Sequence, residues 1–524
     1  MELTATPRRE VACTATPQPP RGTDPTATAS RPIVVGSGLS GLWTAWRLAR
    51  AGCACILLTK RTLTDSATAW AQGGIAAAVG PDDSPAQHAA DTLVASDGLA
   101  EAPAVRVLTT EGPLRVRDLQ ALGVVFDHDS DGRLALALEG AHSRPRVLHW
   151  GGDRTGALLV QWLIQCIMSE PRIEIRQDTE VVELLRAGEH VVGVLALGPD
   201  GSAETLPASS VVLATGGVGQ LYALTTNPLV ATGDGWALAH AVGARLRHLE
   251  FLQFHPTALK LPGVNPAPLI SEAVRGAGAV LVDAAGRRFL VALDPRAELA
   301  PRHVTARAVG VADRAGGAWL DARHVAAFAA RFPRATAVLR SHGLDPARDL
   351  IPVAPAMHYA MGGITTDLSG RSSRPGLWAV GEVASTGVHG ADRLASNSLL
   401  EGLVFGERVA WAIAAEPRSG KGSASASTRI FDARADESWE HVRRELRQVM
   451  TAYVGLERSA LSLERARQTV AELSEWTPRA AWRTRHQLLV ARLITDAARR
   501  RRESRGAHAR VDYPGHHPAA ETVE

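Results

Sequence analysis

The segment Arg31-Pro32-Ile33-Val34-Val35-Gly36-Ser37-Gly38-Leu39-Ser40-Gly41 decides the fold of this chain. A short β-branched run meets a glycine-rich turn, residues 42–51 continue with a helical pattern, and residues 55–58 form a second apolar run. This order of strand, turn, helix and strand predicts a dinucleotide-binding unit, because a glycine pattern becomes specific only in that context. We therefore expect an α/β fold that binds a nucleotide at the turn.

Each glycine of the turn has its own predicted role. Gly36 would allow the tight turn, Gly38 would let backbone amides approach a pyrophosphate, and Gly41 would permit close helix–sheet packing. The acidic residue expected after the second strand, where it would bind a ribose hydroxyl, is replaced by Thr59-Lys60. Two interpretations of Lys60 remain open: a solvated surface charge, or a contact to the adenosine ribose or phosphate.

The composition is that of an ordinary globular protein. The chain has 524 residues, of which 45% are hydrophobic and 21% are charged, and its net charge is +3. With roughly 150 residues per domain, this length predicts about three domains. The nearly balanced charge indicates no nucleic-acid partner, and no run approaches the ~20 apolar residues of a membrane helix. The scattered cysteines predict no metal site and favour the cytoplasm.

A second informative segment is Val388-His389-Gly390-Ala391-Asp392-Arg393-Leu394-Ala395-Ser396-Asn397-Ser398-Leu399-Leu400-Glu401-Gly402, which follows a predicted buried strand near residues 377–380. A strand, a glycine turn, an arginine and a small-residue helix start can hold an anion. Taken alone, the segment is better explained by ordinary packing. Together with the first glycine turn and the segment Asp65-Ser66-Ala67-Thr68-Ala69-Trp70-Ala71-Gln72-Gly73-Gly74-Ile75-Ala76, it resembles the flavoproteins of the succinate dehydrogenase, fumarate reductase and L-aspartate oxidase family.

The resemblance implies that FAD is the cofactor. In succinate dehydrogenases the segment that matches residues 65–76 includes a His that bonds covalently to the flavin. The matching position here is Ala67, so FAD is expected to bind without a covalent bond. Asp234, which alone would be a plain helix cap, is assigned to the cofactor. The implied cofactor-binding residues are Gly36, Ser37, Gly38, Leu39, Ser40, Gly41, Lys60, Ala67, Thr68, Ala69, Trp70, Ala71, Gln72, Gly73, Gly74, Asp234, Glu382, Ser398 and Leu399.

A flavoenzyme that acts on a dicarboxylate needs cations at both ends of its substrate. The resemblance implies that His255 and Thr257 bind one carboxylate, and that His358 and Arg393 bind the other. Arg302 matches the catalytic arginine of the family. Each of these residues, taken singly, has a structural explanation, and the hypothesis rests on their joint occurrence in the family's order.

Glu272 and Arg275 belong to a further matching segment, Ser271-Glu272-Ala273-Val274-Arg275-Gly276-Ala277-Gly278. They could orient Arg302 or relay protons. A structural ion pair between them explains the two residues about as well, and both interpretations remain open.

The segment Leu138-Glu139-Gly140-Ala141-His142-Ser143-Arg144-Pro145-Arg146-Val147-Leu148-His149 indicates the branch of the family. It resembles the E-G-x-H-S-x-x-R-x-x-H segment of the L-aspartate oxidase branch. An anionic Glu139 would attract a substrate ammonium, which succinate lacks. The plainer alternative is an exposed glutamate at the start of a loop.

This branch implies L-aspartate as the substrate and oxygen or fumarate as the electron acceptor. It also implies a place in de novo NAD synthesis, with quinolinate synthase as a transient partner. One alternative is a soluble fumarate reductase or succinate dehydrogenase flavoprotein subunit, against which Ala67 and Glu139 argue. Another is a flavin-binding electron-transfer protein without substrate chemistry, which leaves the candidate substrate residues unexplained.

The predicted architecture is an α/β, split Rossmann-like FAD-binding domain with an inserted α+β capping domain and a C-terminal helical bundle. Residues 32–248 and 360–415 are assigned to the FAD-binding domain, 249–359 to the cap and 428–505 to the helical domain. Residues 1–31 are predicted to be a disordered extension, 417–427 a linker and 506–524 a loose tail. The site would lie between the cap and the FAD-binding domain, where closure can expel water.

Overall fold

The computed structural model describes residues 31–416 and 436–517. The predicted N-terminal disorder, apart from residue 31, and the predicted linker at 417–427 therefore lie outside the described residues. The strands in these ranges are β1 (Ile33–Val35), β2 (Cys55–Leu58), β3 (Ile75–Ala76), β4 (Leu136–Ala137), β5 (Val147–Leu148), β6 (Ile173–Arg176), β7 (Glu180–Ala187), β8 (His190–Leu197), β9 (Ala203–Pro207), β10 (Val211–Leu213), β11 (Leu246–Arg247), β12 (Leu252–Leu259), β13 (Val280–Asp283), β14 (Ala318–Asp321), β15 (Ile351–Ala360), β16 (Gly363–Thr365), β17 (Leu377–Ala379) and β18 (Ala384–Ser385).

The helices in the same ranges alternate with the strands in the first half of the chain and follow one another at its end. They are α1 (Leu39–Arg50), α2 (Ala67–Trp70), α3 (Pro85–Ala95), α4 (Ala102–Ala121), α5 (Thr155–Met168), α6 (Asp234–Ala241), α7 (Glu272–Gly276), α8 (Arg302–Arg314), α9 (Phe328–Arg331), α10 (Pro333–Ser341), α11 (Asn397–Ala415), α12 (Glu440–Tyr453), α13 (Ala460–Trp476) and α14 (Trp482–Arg500). The described part of the chain is therefore mixed α/β with a helical C-terminal region, as the sequence predicted.

A parallel five-stranded sheet forms the centre of the fold, in the order β17-β10-β1-β2-β6. Ile33 of β1 is level with Val211 on one side and with Ile56 on the other. All three residues of β1 are buried, which explains its continuous β-branched run. Because β1 is central, the glycine turn that follows it opens at the carboxyl edge of the sheet, where α/β folds bind their ligands.

Helix α1 packs against this sheet and starts at the glycine turn. Its apolar residues Leu42, Trp43 and Trp46 are at most 4% exposed. Arg47 and Arg50 lie in its last turn, where cations interact favourably with the helix dipole. At the other end, Gly38 has no side chain that could cap the helix, so the first turn presents backbone amides to whatever lies in front of it.

An antiparallel sheet of order β12-β15-β14-β13 is inserted in the chain between β11 and β16. It has a hydrophobic core of its own, in which Val309 of α8 packs with Leu320, Ile351 and Val353 of the strands. This α+β unit occupies the part of the chain that the sequence assigned to a cap. The domain boundaries given above stay predictions.

The C-terminal helices pack against the main body of the protein. Val442, Leu446, Val449 and Met450 of α12 are buried in the same hydrophobic core as residues of the central sheet. The helical region therefore shares its core with the unit built on the parallel sheet. No helix in the two described ranges is long and apolar enough to cross a membrane.

The prediction of a loose tail from residue 506 is wrong for residues 506–510. Ala507 donates a backbone hydrogen bond of 3.0 Å to the carbonyl oxygen of Ala391, and Ala507 to Arg510 are all buried. The Nη1 atom of Arg510 reaches the carbonyl oxygens of Ala498 and Arg501, both at 3.1 Å, and its guanidinium also pairs with Asp512. Residues 518–524 lie outside the described residues.

Candidate active site

A large cleft is lined by residues from the carboxyl edge of the parallel sheet and by residues of the cap. Most of the site residues predicted from the sequence line this cleft, including both the cofactor set and the substrate set. Gly41, Ala69, Thr257 and Arg275 are the predicted residues that do not line it. The fold thus brings together segments that are far apart in the chain.

The first glycine turn is compact for steric reasons. Gly36 has a φ of +118°, and a Cβ atom there would lie 2.2 Å from the carbonyl oxygen of Ala214. A Cβ atom at Gly41 would lie 2.0 Å from the carbonyl oxygen of Gly36, so Gly41 acts through packing rather than by facing the cleft. Gly38 does face the cleft, and its missing side chain keeps the start of α1 accessible to an anion.

Lys60 is held at the end of β2 by two partners. Its Nζ atom donates to the hydroxyl of Thr232 at 2.7 Å and forms an ion pair with Asp234. Burial opposes ionisation of Asp234, but the charge of Lys60, the charge of His486 and the hydrogen bonds from Lys60 and Thr232 together lower the pKa of this carboxyl group. With 24% of its side chain exposed, Lys60 is not a plain solvated charge.

Residues 67–74 form one wall of the cleft. Ser66 caps the short helix α2 by accepting a hydrogen bond of 3.4 Å from the amide of Ala69. Gly74 lies so close to β5 that a Cβ atom there would be 2.1 Å from the carbonyl oxygen of Leu148. The side chain of Ala67, which lines the cleft, is only a methyl group.

These residues fit FAD. The open start of α1 suits a pyrophosphate, and the Lys60–Asp234 pair lies beside it in the same cleft. Gly216 also lines the cleft, and a Cβ atom there would meet nothing within 4 Å, so glycine leaves the space free for a flat ligand.

Two buried arginines share one hydrogen-bond acceptor at the cap side of the cleft. The Nη1 atom of Arg302 and the Nη2 atom of Arg393 donate to the Oε1 atom of Gln253 at 2.9 and 3.0 Å. Burial and the like charge of Arg302 lower the pKa of Arg393 to about 10. Two cations this close, away from water, favour the binding of an anionic ligand.

Glu272 fixes the orientation of Arg302. Its Oε2 atom accepts a hydrogen bond of 2.8 Å from the Nε atom of Arg302, and its Oε1 atom lies 3.2 Å from an Nη atom of Arg275. Arg275 lies behind Glu272 and donates to the carbonyl oxygen of Glu298. Arg302, Glu272 and Arg275 therefore form a continuous chain that leads away from the cleft.

Two neutral histidines accompany the arginines. The rings of His255 and His358 have centroids 5.0 Å apart, and the Nδ1 atom of His358 lies 2.8 Å from the hydroxyl of Thr226. Burial, followed by the positive charge of Arg302, holds the pKa of each imidazole well below its usual range. At neutral pH they can donate hydrogen bonds to a carboxylate without adding charge.

The direct carboxylate contact predicted for Thr257 does not fit its position. Its hydroxyl donates to the carbonyl oxygen of Ile270 at 2.8 Å, which uses its only hydrogen. Its amide lies 3.3 Å from the Nδ1 atom of His255. Thr257 thus orients His255 from behind.

Glu139 is buried beside the same cluster. Its Oε2 atom accepts a hydrogen bond of 2.7 Å from the hydroxyl of Ser396, and its Oε1 atom lies 3.5 Å from the Nε2 atom of His149. Burial opposes ionisation, but the contacts with His149 and Ser396 prevail and lower the pKa of Glu139 to about 2. The alternative of an exposed glutamate is wrong, because Glu139 is 2% exposed.

Tyr359 and Glu382 complete the surroundings of Arg393. The guanidinium carbon of Arg393 lies 4.4 Å from the centroid of the Tyr359 ring, a distance suited to a cation–π contact. Glu382 accepts a hydrogen bond of 3.0 Å from the amide of Ala360, and burial raises its pKa to about 7. Both residues line the cleft.

Sequence reasoning missed Gln253, Asp392 and Tyr359. Gln253 precedes His255 by two residues in β12, so the period of a strand could have indicated that it shares the face of His255. Asp392 precedes Arg393 and would pass for a simple ion-pair partner, whereas its Oδ1 atom accepts a hydrogen bond of 2.6 Å from the Nε2 atom of Gln253.

Comparison with known proteins gives matches along nearly the whole chain. Residues 31–399 match the FAD binding domain family, and residues 443–520 match the fumarate reductase flavoprotein C-term family. An L-aspartate oxidase of Caulobacter vibrioides is 46% identical over 93% of this chain and 94% of its own length. An L-aspartate oxidase of Streptomyces coelicolor is 44% identical over 93% of this chain and 89% of its own length.

Solved structures agree with these matches. E. coli quinol fumarate reductase has a TM-score of 0.85 and 29% identity, covering 94% of this chain and 93% of the other. Mycobacterium smegmatis Sdh1 has a TM-score of 0.80 and 31% identity, covering 93% of this chain and 89% of the other.

The fold, the nucleotide cleft and these matches define an FAD-dependent oxidoreductase of the succinate dehydrogenase and fumarate reductase flavoprotein class. The resemblance found in the sequence is therefore confirmed. Within that class, the chain belongs to the L-aspartate oxidase family.

Proposed function

We propose that this chain oxidises L-aspartate to iminoaspartate, with non-covalently bound FAD as the cofactor and with oxygen or fumarate as the electron acceptor. The observation that carries the proposal is the pairing, in one cleft, of the buried cations Arg302 and Arg393 with the buried anion Glu139. L-Aspartate carries two carboxylates and one ammonium group, which is the complementary pattern of charge.

When bound, FAD would supply the two-electron acceptor of the reaction. Gly36, Gly38 and Lys60 would hold its nucleotide, and residues 67–74 with Ser398 and Leu399 would surround its ring system. The methyl group of Ala67 offers no atom for a covalent bond to the flavin. Everything else that the reaction needs comes from side chains of the chain itself.

The substrate would be held by charge at three points. Arg393 and His358 would bind one carboxylate, and His255 with Arg302 would face the other. The neutral histidines donate hydrogen bonds and so add directionality to the charge of the arginines. Glu139, anionic because its pKa is about 2, would accept the substrate ammonium.

Arg302 would stabilise charge beside the reacting carbon. An arginine is a poor base, so we assign it an electrostatic role in the oxidation. Its Nε atom, held 2.8 Å from Glu272, lies at the start of the chain through Glu272 to Arg275, which could carry a proton when fumarate is reduced.

The proposed product is an unstable imine that hydrolyses unless it is consumed. We therefore propose quinolinate synthase as a transient partner, the first step of de novo NAD synthesis as the role, and the cytoplasm as the location. These three assignments rest on membership of the L-aspartate oxidase family.

The test is a substrate comparison with purified, FAD-loaded protein. Peroxide should form with L-aspartate, and it should not form with succinate or D-aspartate at the same concentration. A protein that oxidises succinate with a dye and ignores L-aspartate would instead be a succinate dehydrogenase or fumarate reductase flavoprotein subunit. The likeness to quinol fumarate reductase is consistent with this second candidate, but the L-aspartate oxidases, at 44% and 46% identity, favour the first.

A further inference from the structure

The amide of Gln253 has only one orientation that satisfies its neighbours. Its Nε2 atom donates to the Oδ1 atom of Asp392 at 2.6 Å and to the carbonyl oxygen of Arg393 at 2.9 Å. Its Oε1 atom accepts from both Arg302 and Arg393. A flipped amide would place its NH₂ group against two guanidinium groups and its oxygen against a carboxylate and a carbonyl.

Asp392 is one of the groups that fix this orientation, and His303 holds Asp392. The Oδ2 atom of Asp392 lies 2.7 Å from the Nδ1 atom of His303 and accepts a hydrogen bond of 3.3 Å from its backbone amide. Asp392 is 2% exposed, so its carboxylate depends on these donors. Since Nδ1 must donate to the carboxylate, the tautomer of a neutral His303 is fixed as well.

His303 lies outside the substrate cleft. It does not line that cleft, and with Gln253 it lines a second, much smaller cavity whose wall includes Arg307 and Ala507. A residue here cannot touch a substrate that binds between the arginines. The side-chain hydrogen bonds from His303 to Asp392 and from Gln253 to Asp392 give His303 a route to the two arginines that needs no contact with the substrate.

We propose that His303 and Asp392 are positioning residues, which act through the amide of Gln253 to hold Arg302 and Arg393 at the separation that a dicarboxylate requires. The inference deepens the proposed function and rests on it. Without the His303–Asp392 pair, the NH₂ group of Gln253 loses a firmly held acceptor and keeps only the carbonyl oxygen of Arg393, so the oxygen that the two arginines share is held less rigidly. The arginines then separate or turn towards other acceptors, and the dicarboxylate binds more weakly.

The first test is His303→Leu in the FAD-loaded enzyme. Removing a hydrogen bond to a buried carboxylate should raise the KM for L-aspartate roughly tenfold, with a smaller change in kcat and with flavin content unchanged. His303→Asn, whose amide nitrogen can replace Nδ1 as the donor, should restore most of the affinity. His303→Phe keeps the ring volume without the donor, and it replaces His303→Leu if that variant folds poorly.

Arg307→Leu is the matched control, because Arg307 lies in the same helix and lines the same small cavity, and its side chain donates only to the backbone carbonyl oxygen of His303, at 3.1 Å, and not to Asp392 or Gln253. Its KM should stay within about twofold of the unaltered enzyme. An equal rise in Arg307→Leu, or an unchanged KM in His303→Leu, would overturn the proposal. A lower melting temperature of His303→Leu with no change in its KM would also overturn the proposal, since that result indicates a purely structural role.

A binding measurement separates this inference from the proposed function. Succinate can be titrated into the FAD-loaded protein by calorimetry, which requires no turnover. If the protein fails to oxidise L-aspartate but His303→Leu still weakens succinate binding about tenfold, the proposed function fails and the positioning role stands. If succinate binds equally to both proteins, the positioning role fails whatever the activity.

Discussion

Glu139 and Ser396, 257 residues apart in the chain, are joined by a hydrogen bond of 2.7 Å between hydroxyl and carboxylate. Ser396 has a φ of +60°, a left-handed conformation that residues other than glycine seldom adopt. It precedes α11 and follows Arg393 by three residues. The contact therefore connects the segment that resembles the oxidase branch to the loop that carries Arg393, for which we propose binding of a substrate carboxylate.

Replacing Glu139 by Gln should separate the two reactions of the proposed site. The shape is kept but the attraction for an ammonium group is lost, at a cost of about 1–3 kcal/mol in a water-poor site. Oxidation of L-aspartate should fall about ten- to hundredfold, and reduction of fumarate, which has no amino group, should fall much less. Both rates are measured on one preparation.

The matched control for this variant is Arg144→Gln, an exposed position in the same segment, which should leave both rates unchanged. Equal losses in the two reactions of Glu139→Gln would make Glu139 a structural residue and would weaken the assignment of L-aspartate.

Arg393→Leu should remove dicarboxylate binding while most of the flavin stays bound. A buried, charge-assisted contact of this kind contributes about 1.5–3 kcal/mol, so the KM for L-aspartate should rise at least ten- to hundredfold. Steady-state kinetics measure the KM for L-aspartate, and the ratio of flavin to protein absorbance measures the bound flavin. Arg340→Leu, at an exposed position of the cap, should leave both the KM and the flavin content unchanged. Near-normal oxidation by Arg393→Leu would exclude Arg393 from the site.

FAD should leave the protein when it is denatured by acid. The reason is the methyl side chain of Ala67, at the position where the covalent members of the family have a histidine. After precipitation and centrifugation, the yellow colour and flavin fluorescence should be found in the supernatant. Fluorescence that remains with the washed polypeptide would show that another side chain of the cleft carries the flavin.

Glu382→Gln should stabilise the protein more at pH 8 than at pH 5. Burial raises the pKa of Glu382 to about 7, so the folded state keeps a proton that the unfolded state loses near pH 4–5. Stability from this group is present at low pH and is lost as the pH rises towards 7. A neutral glutamine avoids this loss, which amounts to about 1–3 kcal/mol.

Melting temperatures of the FAD-loaded proteins at several pH values test the Glu382 prediction. The difference between Glu382→Gln and the unaltered protein should grow with pH and level off above pH 7. Glu445→Gln, at an exposed position of α12, should give a flat difference. A flat difference for Glu382→Gln would mean that this carboxyl is ionised in the folded protein at every pH tested.

The local part of the fold was predictable from the sequence because its causes are local. The run Ile33-Val34-Val35 is buried on both sides, and Gly36 and Gly41 stand where any Cβ atom would collide with a backbone oxygen. Such requirements leave a pattern of residue types at fixed spacing.

The cooperative part of the site was not predictable, because it depends on pairs that meet only in the folded chain. Gln253 and Asp392 are 139 residues apart, and no feature of either neighbourhood indicates that their side chains share a hydrogen bond. The same holds for Lys60 and Asp234, 174 residues apart. The prediction of a loose tail was wrong for a related reason, since the Nη1 atom of Arg510 and the amide of Ala507 bond carbonyl groups outside the tail.

The hydrogen bond from the amide of Ala507 to the carbonyl oxygen of Ala391 makes the candidate active site depend on a part of the chain that is synthesised late. Ala391 stands two residues before Arg393, but the segment that supports it leaves the ribosome only after the three C-terminal helices have been made. A product truncated before residue 507 could bind flavin through its earlier segments and still hold Arg393 loosely. Proteolysis or a fusion that disturbs this late segment should therefore leave the flavin bound but lower the activity, giving yellow protein with slow turnover.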